Sequence, residues 1–387
     1  MKDGKLVIDL KSKKFWIAFF VILLAVIFSV VVASISASQN KFSYNSSNDN
    51  ISKIFDNESN NGSKKNILLL ATGGTIAGSG EAGKETGYKP GALSVESILD
   101  SVPGIDKLAN IKAEQVCNLN SDDISEKEWL QLANRINQID KDPTVDGVVI
   151  THGTDTMEET AYFLNLVVKT DKPVVITGSM RPATAISADG PMNLYQSVLV
   201  AANDESKDKP VMAVMDDSIM SARTFQKTST SALDTMQSVD LGVIGLVRDD
   251  YVIFTNNADN QSYKNHTQFS INNVTKLPRV NIVYFNVDAS VEILNQAIRV
   301  SDAVVIAGAG AGEYSLKFKE AIENSPVPII ISTRTQSGVI LQNSLISSKT
   351  IASSYLNPQK AAVLARVALS NNPHISKEEF ISIFTTY

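Results

Sequence analysis

Short apolar runs alternate with amphipathic stretches from residue 66 to the end of the chain. Between the first two of these runs, Ser125-Glu-Lys-Glu128 has the form of a helix capping box, and apolar residues follow it at helical spacing. Near-continuous apolar strands that alternate with helices indicate a parallel sheet covered on both faces. The runs predicted as strands in this part are residues 67–71, 148–150, 174–177 and 211–215.

The pattern changes after Asp216, where glycines and the alternating Tyr251-Val-Ile-Phe254 predict hairpins. Residues 268–278 are polar and poor in strand formers, so we place a domain boundary there. A second set of strands and helices follows, with two helices at the end. The sequence thus predicts an α/β fold, with a larger flavodoxin-like parallel-sheet domain (66–275) and a smaller C-terminal α/β domain (278–387). The strands predicted in the smaller domain are residues 280–285, 303–307 and 327–331.

The N-terminal region has a different character. Residues 15–37 carry no charge and are mostly apolar, and five lysines precede them. A helix of this length can span a bilayer, and the lysines predict a cytoplasmic position for residues 1–14. The segment is either a membrane anchor or a cleaved signal peptide. Residues 38–65 are rich in Asn and Ser and predict a disordered tether, so the folded part is expected outside the cytoplasm.

Composition excludes several functions. The net charge of −6 argues against a nucleic-acid partner. Cys117 is the single cysteine, which rules out an intrachain disulfide and a cysteine-based metal site. His152, His266 and His374 lack the spacing of metal ligands. We therefore expect no metal centre built from histidine and cysteine.

Two hydroxyl-rich loops carry the candidate chemistry. Thr72-Gly-Gly-Thr-Ile-Ala-Gly78 directly follows the first predicted strand, and Thr151-His-Gly-Thr-Asp-Thr156 follows the second. Ligands of open α/β sheets bind at this carboxyl edge of the strands. Each loop also has a structural interpretation, because the glycines suit a tight turn and Asp155 could cap a helix with Glu158 completing the box.

Three further motifs follow the two loops in the chain: Thr177-Gly-Ser-Met-Arg-Pro182, Ser187-Ala-Asp-Gly-Pro191 and Leu356-Asn-Pro-Gln-Lys360. The five motifs in this order resemble the bacterial type II L-asparaginases, and the resemblance runs from about residue 66 to Tyr387. It implies hydrolysis of L-asparagine to L-aspartate and ammonia in a homotetramer, with L-glutamine as a side substrate and without a metal or organic cofactor. A membrane-tethered amino-acid-binding protein is the alternative.

The resemblance also implies catalytic roles. Thr75 corresponds to the primary nucleophile of the family, and Tyr88 to the tyrosine that activates or shields it. Thr154, Asp155 and Lys227 correspond to a second hydrogen-bonded set that aids proton transfer. A threonine hydroxyl needs a base, and the residues alone leave Lys227, Asp155 and Tyr88 as candidates.

Substrate binding is implied for a further group. Ser121 and Asp155 correspond to positions that hold the α-carboxylate and α-ammonium groups of the substrate, as does Thr154, and Ser179 to a backbone carbonyl that receives its amide. Asp122 stands where many members have Gln or Glu. Glu313 replaces a common Asn or Ser, and residues 342–346 lack the Glu that reaches a neighbouring subunit's substrate.

Overall fold

The computed structural model describes residues 64–255 and 264–387. The predicted segments 1–14 and 15–37, and nearly all of the predicted tether 38–65, lie outside the described residues. Within the described part, no helix has both the length and the apolar character needed to cross a membrane.

Strands β1 to β14 of the described residues are Lys65–Gly73, Ala109–Leu119, Gly147–Thr151, Val174–Thr177, Met212–Met215, Ser218–Ser221, Gln226–Lys227, Met236–Gln237, Gly245–Arg248, Tyr251–Phe254, Val280–Tyr284, Ala303–Gly308, Ile329–Thr333 and Ile351–Ala352. Helices α1 to α9 are Val95–Asp100, Ile105–Leu108, Glu126–Ile139, Met157–Val167, Gly190–Ala202, Val291–Val300, Leu316–Glu323, Pro358–Asn371 and Lys377–Thr386.

The larger sheet has the strand order β10-β9-β6-β5-β4-β3-β1-β2. Its strands run parallel from β2 to β5 and antiparallel from β5 to β10. The parallel part and the hairpins after Asp216 are therefore confirmed. A smaller parallel sheet, β11-β12-β13-β14, forms the C-terminal part. The predicted fold class is confirmed.

Helices cover both faces of each sheet, as the apolar strands predicted. Leu69, Val149 and Val175 pack on one face of the larger sheet with α1 and α5. The opposite face packs against α3, α4 and α8. Helix α8 also contacts Val305 and Ile330 of the smaller sheet, so it lies in a core that the two sheets share.

Several strands differ from the prediction, among them the unpredicted two-residue β14, and the sequence explains the difference at β2 and β13. Strand β2 was missed because it lies at the sheet edge, where exposed polar residues such as Asn110 interrupt the apolar run. The strand predicted at 327–331 begins instead at Ile329, since Pro328 has no N–H to give to a ladder. Its carbonyl still accepts a hydrogen bond from Val304 N (3.0 Å).

Strand register brings the ends of three parallel strands together. Ala71 of β1 pairs with Thr151 of β3, which pairs with Thr177 of β4. The loops that leave these strands therefore start at the same level on the carboxyl edge of the sheet, where a small ligand can contact all of them.

Candidate active site

The loop after β1 is pressed against its neighbours. Gly73 and Gly74 have φ values of 107° and 81°, which residues other than glycine rarely adopt. A Cβ on Gly74 would lie 2.4 Å from Gly153 N, and one on Gly73 would lie 2.4 Å from Leu119 O. The structural interpretation of these glycines as a tight turn is thus correct, and the turn also joins the two hydroxyl-rich loops.

Thr75 begins the short 3-10 helix Thr75–Ala77 and is 8% exposed. Its hydroxyl is hydrogen-bonded to the Tyr88 hydroxyl, with 2.8 Å between the oxygens. Ser79 and Lys89 exchange two backbone hydrogen bonds and so hold the Tyr88 segment in place. The structure therefore pairs the predicted nucleophile with the predicted tyrosine.

The second loop holds the other predicted set. Lys227 Nζ, at the end of the two-residue strand β7, donates to Thr154 Oγ1 (2.8 Å) and to Asp155 Oδ1 (2.6 Å). The lysine side chain is 16% exposed, whereas that of Asp155 is 60% exposed. Since the ammonium occupies an acceptor position of the Thr154 oxygen, the proton of that hydroxyl can be donated elsewhere.

The interpretation of Asp155 as a helix cap is wrong. Asp155 lies inside the 3-10 helix Thr154–Thr156, and Thr156 is the residue that precedes α4. The carboxylate of Asp155 binds Lys227 instead. Glu158, expected to complete the capping box, accepts hydrogen bonds from Asn357 and Gln359 far along the chain.

The predicted substrate-binding residues surround the same junction. Ser121 is buried, and its Oγ has no hydrogen-bond partner among the described residues. It lies against the second loop, because a Cβ on Gly153 would come within 2.8 Å of that Oγ. Asp122 is exposed beside it. Ser179 is buried and donates its hydroxyl proton to Arg181 O (2.8 Å), so this hydroxyl is already engaged.

Two residues that depart from the family pattern lie elsewhere in the chain. Glu313 is exposed and follows β12 of the smaller sheet. Gln342 stands in the segment that lacks the glutamate, and both ends of its amide bind backbone of Thr350 and Ala352. Neither shares a hydrogen bond with the Thr75 or Lys227 sets in the described structure. Residues 64–255 and 264–387 contain no cluster that could hold a metal ion.

Comparison with known proteins identifies the family of this chain. Residues 66–260 match the family described as Asparaginase, N-terminal, and residues 279–384 match the Glutaminase/Asparaginase C-terminal domain. The chain belongs to the asparaginase family. Its similarity to proteins named L-asparaginase 2 confirms the predicted resemblance to the bacterial type II members.

Relatives match over most of this asparaginase-family chain. It is 44% identical over 316 residues to L-asparaginase 2 of Bacillus subtilis, covering 80% of this chain and 84% of the relative. It is 40% identical over 324 residues to a probable periplasmic L-asparaginase of Haemophilus influenzae, covering 81% and 92%. A crystal structure of a probable cytoplasmic L-asparaginase from Campylobacter jejuni matches with a TM-score of 0.79 at 38% identity, covering 84% of this chain and all of that chain.

Asp189 and Asn193 support the site, although neither was predicted to do so from the sequence. Asp189 accepts hydrogen bonds from Met180 N and Arg181 N, both at 2.9 Å. Asn193 donates to Gly178 O (3.0 Å). Together they fix the loop that carries Ser179. The family motif 187–191 contains Asp189 and could have drawn attention to it, but motif spacing does not show which groups its carboxylate binds.

His152 is a structural residue. It is completely buried, its Nδ1 donates to Gly153 O (2.7 Å), and its Nε2 accepts from Thr160 (3.0 Å). Thr160 in turn accepts from the Trp129 indole N–H (2.8 Å). Burial lowers the pKa of His152 to about 4 against the opposing effect of the Gly153 carbonyl. The imidazole is therefore neutral near pH 7 and holds the backbone of the second loop.

This lowered pKa predicts an acid-dependent loss of stability. Between pH 6.5 and 4 the unfolded chain binds a proton at His152 that the folded protein does not. The free energy of unfolding therefore falls as the pH decreases. His152 contributes about 2 kcal/mol to this fall between pH 7 and pH 5. Denaturant unfolding of the full-length protein and of His152→Gln at both pH values measures the effect. The variant should lose about 2 kcal/mol less than the parent, and equal losses would contradict the assignment.

Proposed function

We propose that the protein hydrolyses L-asparagine to L-aspartate and ammonia, with Thr75 as nucleophile. The observation that carries the proposal is that two hydrogen-bonded groups of side chains lie on two loops whose backbones touch at Gly74 and Gly153. Thr75 is hydrogen-bonded to Tyr88 on one side, and Thr154, Asp155 and Lys227 are hydrogen-bonded on the other. A protein that only binds amino acids needs no such arrangement.

The proposed reaction has two stages. The Thr75 oxygen attacks the side-chain amide carbon, and its proton passes through Tyr88 or the Lys227 set to the departing nitrogen, which leaves as ammonia. Backbone N–H groups of the two loops stabilise the tetrahedral oxyanion. Water then attacks the resulting ester of Thr75, which releases aspartate and restores the hydroxyl.

The substrate's polar ends have matching partners. The unpartnered hydroxyl of Ser121 is suited to the α-carboxylate, and the exposed carboxylates of Asp155 and Asp122 to the α-ammonium group. Ser179 contributes through its backbone, since its hydroxyl already donates to Arg181. Burying the substrate's charges without such partners would cost several kcal/mol.

Ammonia release tests the function and the substrate preference together. Purified full-length protein should release ammonia from L-asparagine, with kcat/KM about 10- to 100-fold above that for L-glutamine. One extra methylene is worth only about 1–3 kcal/mol of discrimination in a fitted pocket. Thermal stabilisation by L-asparagine without ammonia release would favour the binding-protein alternative. Equal kcat/KM values would overturn the preference, and Asp122→Gln would then show whether the shorter acid is responsible.

We further propose that the folded part lies outside the cytoplasm. The uncharged segment 15–37 behind a lysine cluster supports this. The Haemophilus relative is named periplasmic, whereas the Campylobacter structure is titled cytoplasmic. N-terminal sequencing of the protein recovered from cell fractions distinguishes a cleaved signal, a retained anchor and a cytoplasmic protein.

A homotetramer remains the proposed assembly. Large apolar side chains of the C-terminal part are exposed to solvent in the single chain, such as Val287 (88% exposed) in the turn after β11 and Leu316 (83%) at the start of α7. Exposed apolar groups of this kind are common at subunit interfaces. Light scattering of the active protein tests the proposal, and an active monomer would refute it.

A further inference from the structure

The first turn of α8 contains a lysine that the proposed reaction does not use. Lys360 is only 2% exposed. Its Nζ donates to the carbonyl of Arg223 (3.2 Å), which lies 137 residues earlier in the chain. Its Nζ also donates to the Phe225 carbonyl and lies 5.0 Å from the centre of the Phe225 ring. The ammonium is thus fixed on the backbone that leads into β7.

These contacts end two residues before the predicted catalytic lysine. Phe225 and Gln226 directly precede Lys227 in the chain. The side chain of Gln226 is also held, because its Oε1 accepts from Asn357 Nδ2 (3.2 Å) and its amide donates to a carbonyl beside the smaller sheet. The backbone that presents Lys227 is therefore attached to the start of α8.

The same turn of α8 also holds the partner loop of Lys227. Glu158, at the start of α4, follows Thr154 and Asp155 and is 4% exposed. Its carboxylate accepts from Asn357 Nδ2 (3.0 Å) and Gln359 Nε2 (2.9 Å), and lies 3.9 Å from Lys360 Nζ. The start of α8 therefore contacts the segment before Lys227 and the segment after Thr154.

Stability alone is a poor reason to keep this buried charge. Burial lowers the pKa of Lys360 to about 8, although Glu158 opposes the shift. A buried ion pair often contributes no more to folding than well-packed apolar residues of similar volume. Catalysis can benefit from such a contact, because a displacement of a proton-transfer group by about 1 Å can lower the rate roughly 100-fold.

We propose that Lys360 is a positioning residue, whose ammonium holds the Phe225 carbonyl and thereby places Lys227 against Thr154 and Asp155. The inference rests on the proposed role of Lys227. It adds that the catalytic geometry of the larger sheet depends on a side chain from α8, which the two sheets share.

Lys360→Met in the full-length protein tests the proposal. It removes the charge but keeps an unbranched apolar side chain. We expect kcat for L-asparagine to fall about 10- to 100-fold with KM changed less than about 3-fold. The groups proposed to bind the substrate stay in place, so KM should change little.

Lys264→Met is the matched control. Lys264 is also fully buried, its Nζ donates to the Lys209 carbonyl (2.6 Å), and burial lowers its pKa to about 8. It lies near the start of β5, at the opposite edge of the sheet from the active site. This variant should change the melting temperature but leave kcat within about 2-fold. Equal falls of kcat in both variants would overturn the proposal.

A double-mutant cycle tests whether Lys360 affects kcat through Lys227. If Lys360 acts through Lys227, adding Lys360→Met to Lys227→Met should lower the residual kcat by less than about 2-fold. A full further loss in that background would refute the positioning role. The parent and the single Lys227→Met variant separate the two hypotheses. Absence of turnover in the parent contradicts the proposed function, whereas undiminished turnover in Lys227→Met contradicts only the role of Lys227 on which this inference rests.

Discussion

Thr75→Ala should abolish the release of ammonia from L-asparagine, with kcat reduced by at least about 1000-fold. The substitution removes the oxygen that attacks the amide, so the covalent route is lost. Thr75 is 8% exposed and makes its side-chain hydrogen bond to Tyr88. Its removal should therefore leave the fold intact. Ammonia assays at saturating asparagine, with circular dichroism of both proteins, measure the result.

Thr72→Val provides the matched control for this experiment. Thr72 lies three residues earlier and is also buried, and its hydroxyl donates to Thr151 O (2.9 Å) instead of pairing with Tyr88. Losing this hydrogen bond should cost about 1 kcal/mol of stability and leave most of the activity. Activity of Thr75→Ala comparable to that of Thr72→Val would remove Thr75 from the mechanism.

Lys227→Met should lower kcat by about 10²–10⁴-fold with a smaller change in KM. The amine donates to Thr154 and Asp155, so its loss removes the group that shifts protons in this set. Steady-state kinetics with L-asparagine over a range of concentrations separate kcat from KM. A rise in KM alone would mean that Lys227 binds the substrate and takes no part in proton transfer.

Lys227→Arg distinguishes the two ways in which the lysine could act. Arginine keeps the positive charge but does not release a proton in proteins. If Lys227 transfers a proton, the arginine variant should be as slow as the methionine variant. Recovery of more than about a tenth of the parental kcat would show that its charge is sufficient.

The sequence predicted the features of this protein that are local in the chain. Hydrophobic runs located the parallel strands other than β2 and β14, and the capping box at Ser125 and Glu128 is present at the start of α3. The loops after β1 and β3 could be identified because each follows its strand directly. Their roles came from the family resemblance, since Lys227 alone has the appearance of a surface lysine.

Other features depend on contacts between distant segments. The partners of Glu158 lie about 200 residues away, at Asn357 and Gln359. Asp155 with Glu158 fits the spacing of a capping box, and only the folded chain shows that both carboxylates bind elsewhere. Hydrophobic periodicity carries no information about such pairs, because it describes one element at a time.

The position of α8 has a consequence for the synthesis of the protein. This helix covers one face of the larger sheet, but it leaves the ribosome after every strand of both sheets. Until then, apolar residues such as Val148 and Leu68 lack part of their cover, and a partly made chain exposes surface that can aggregate. Lys360 and Asn357 also arrive at this last stage. The nascent protein thus gains this cover and its contacts to the Lys227 strand together, so a chain that ends before α8 lacks both.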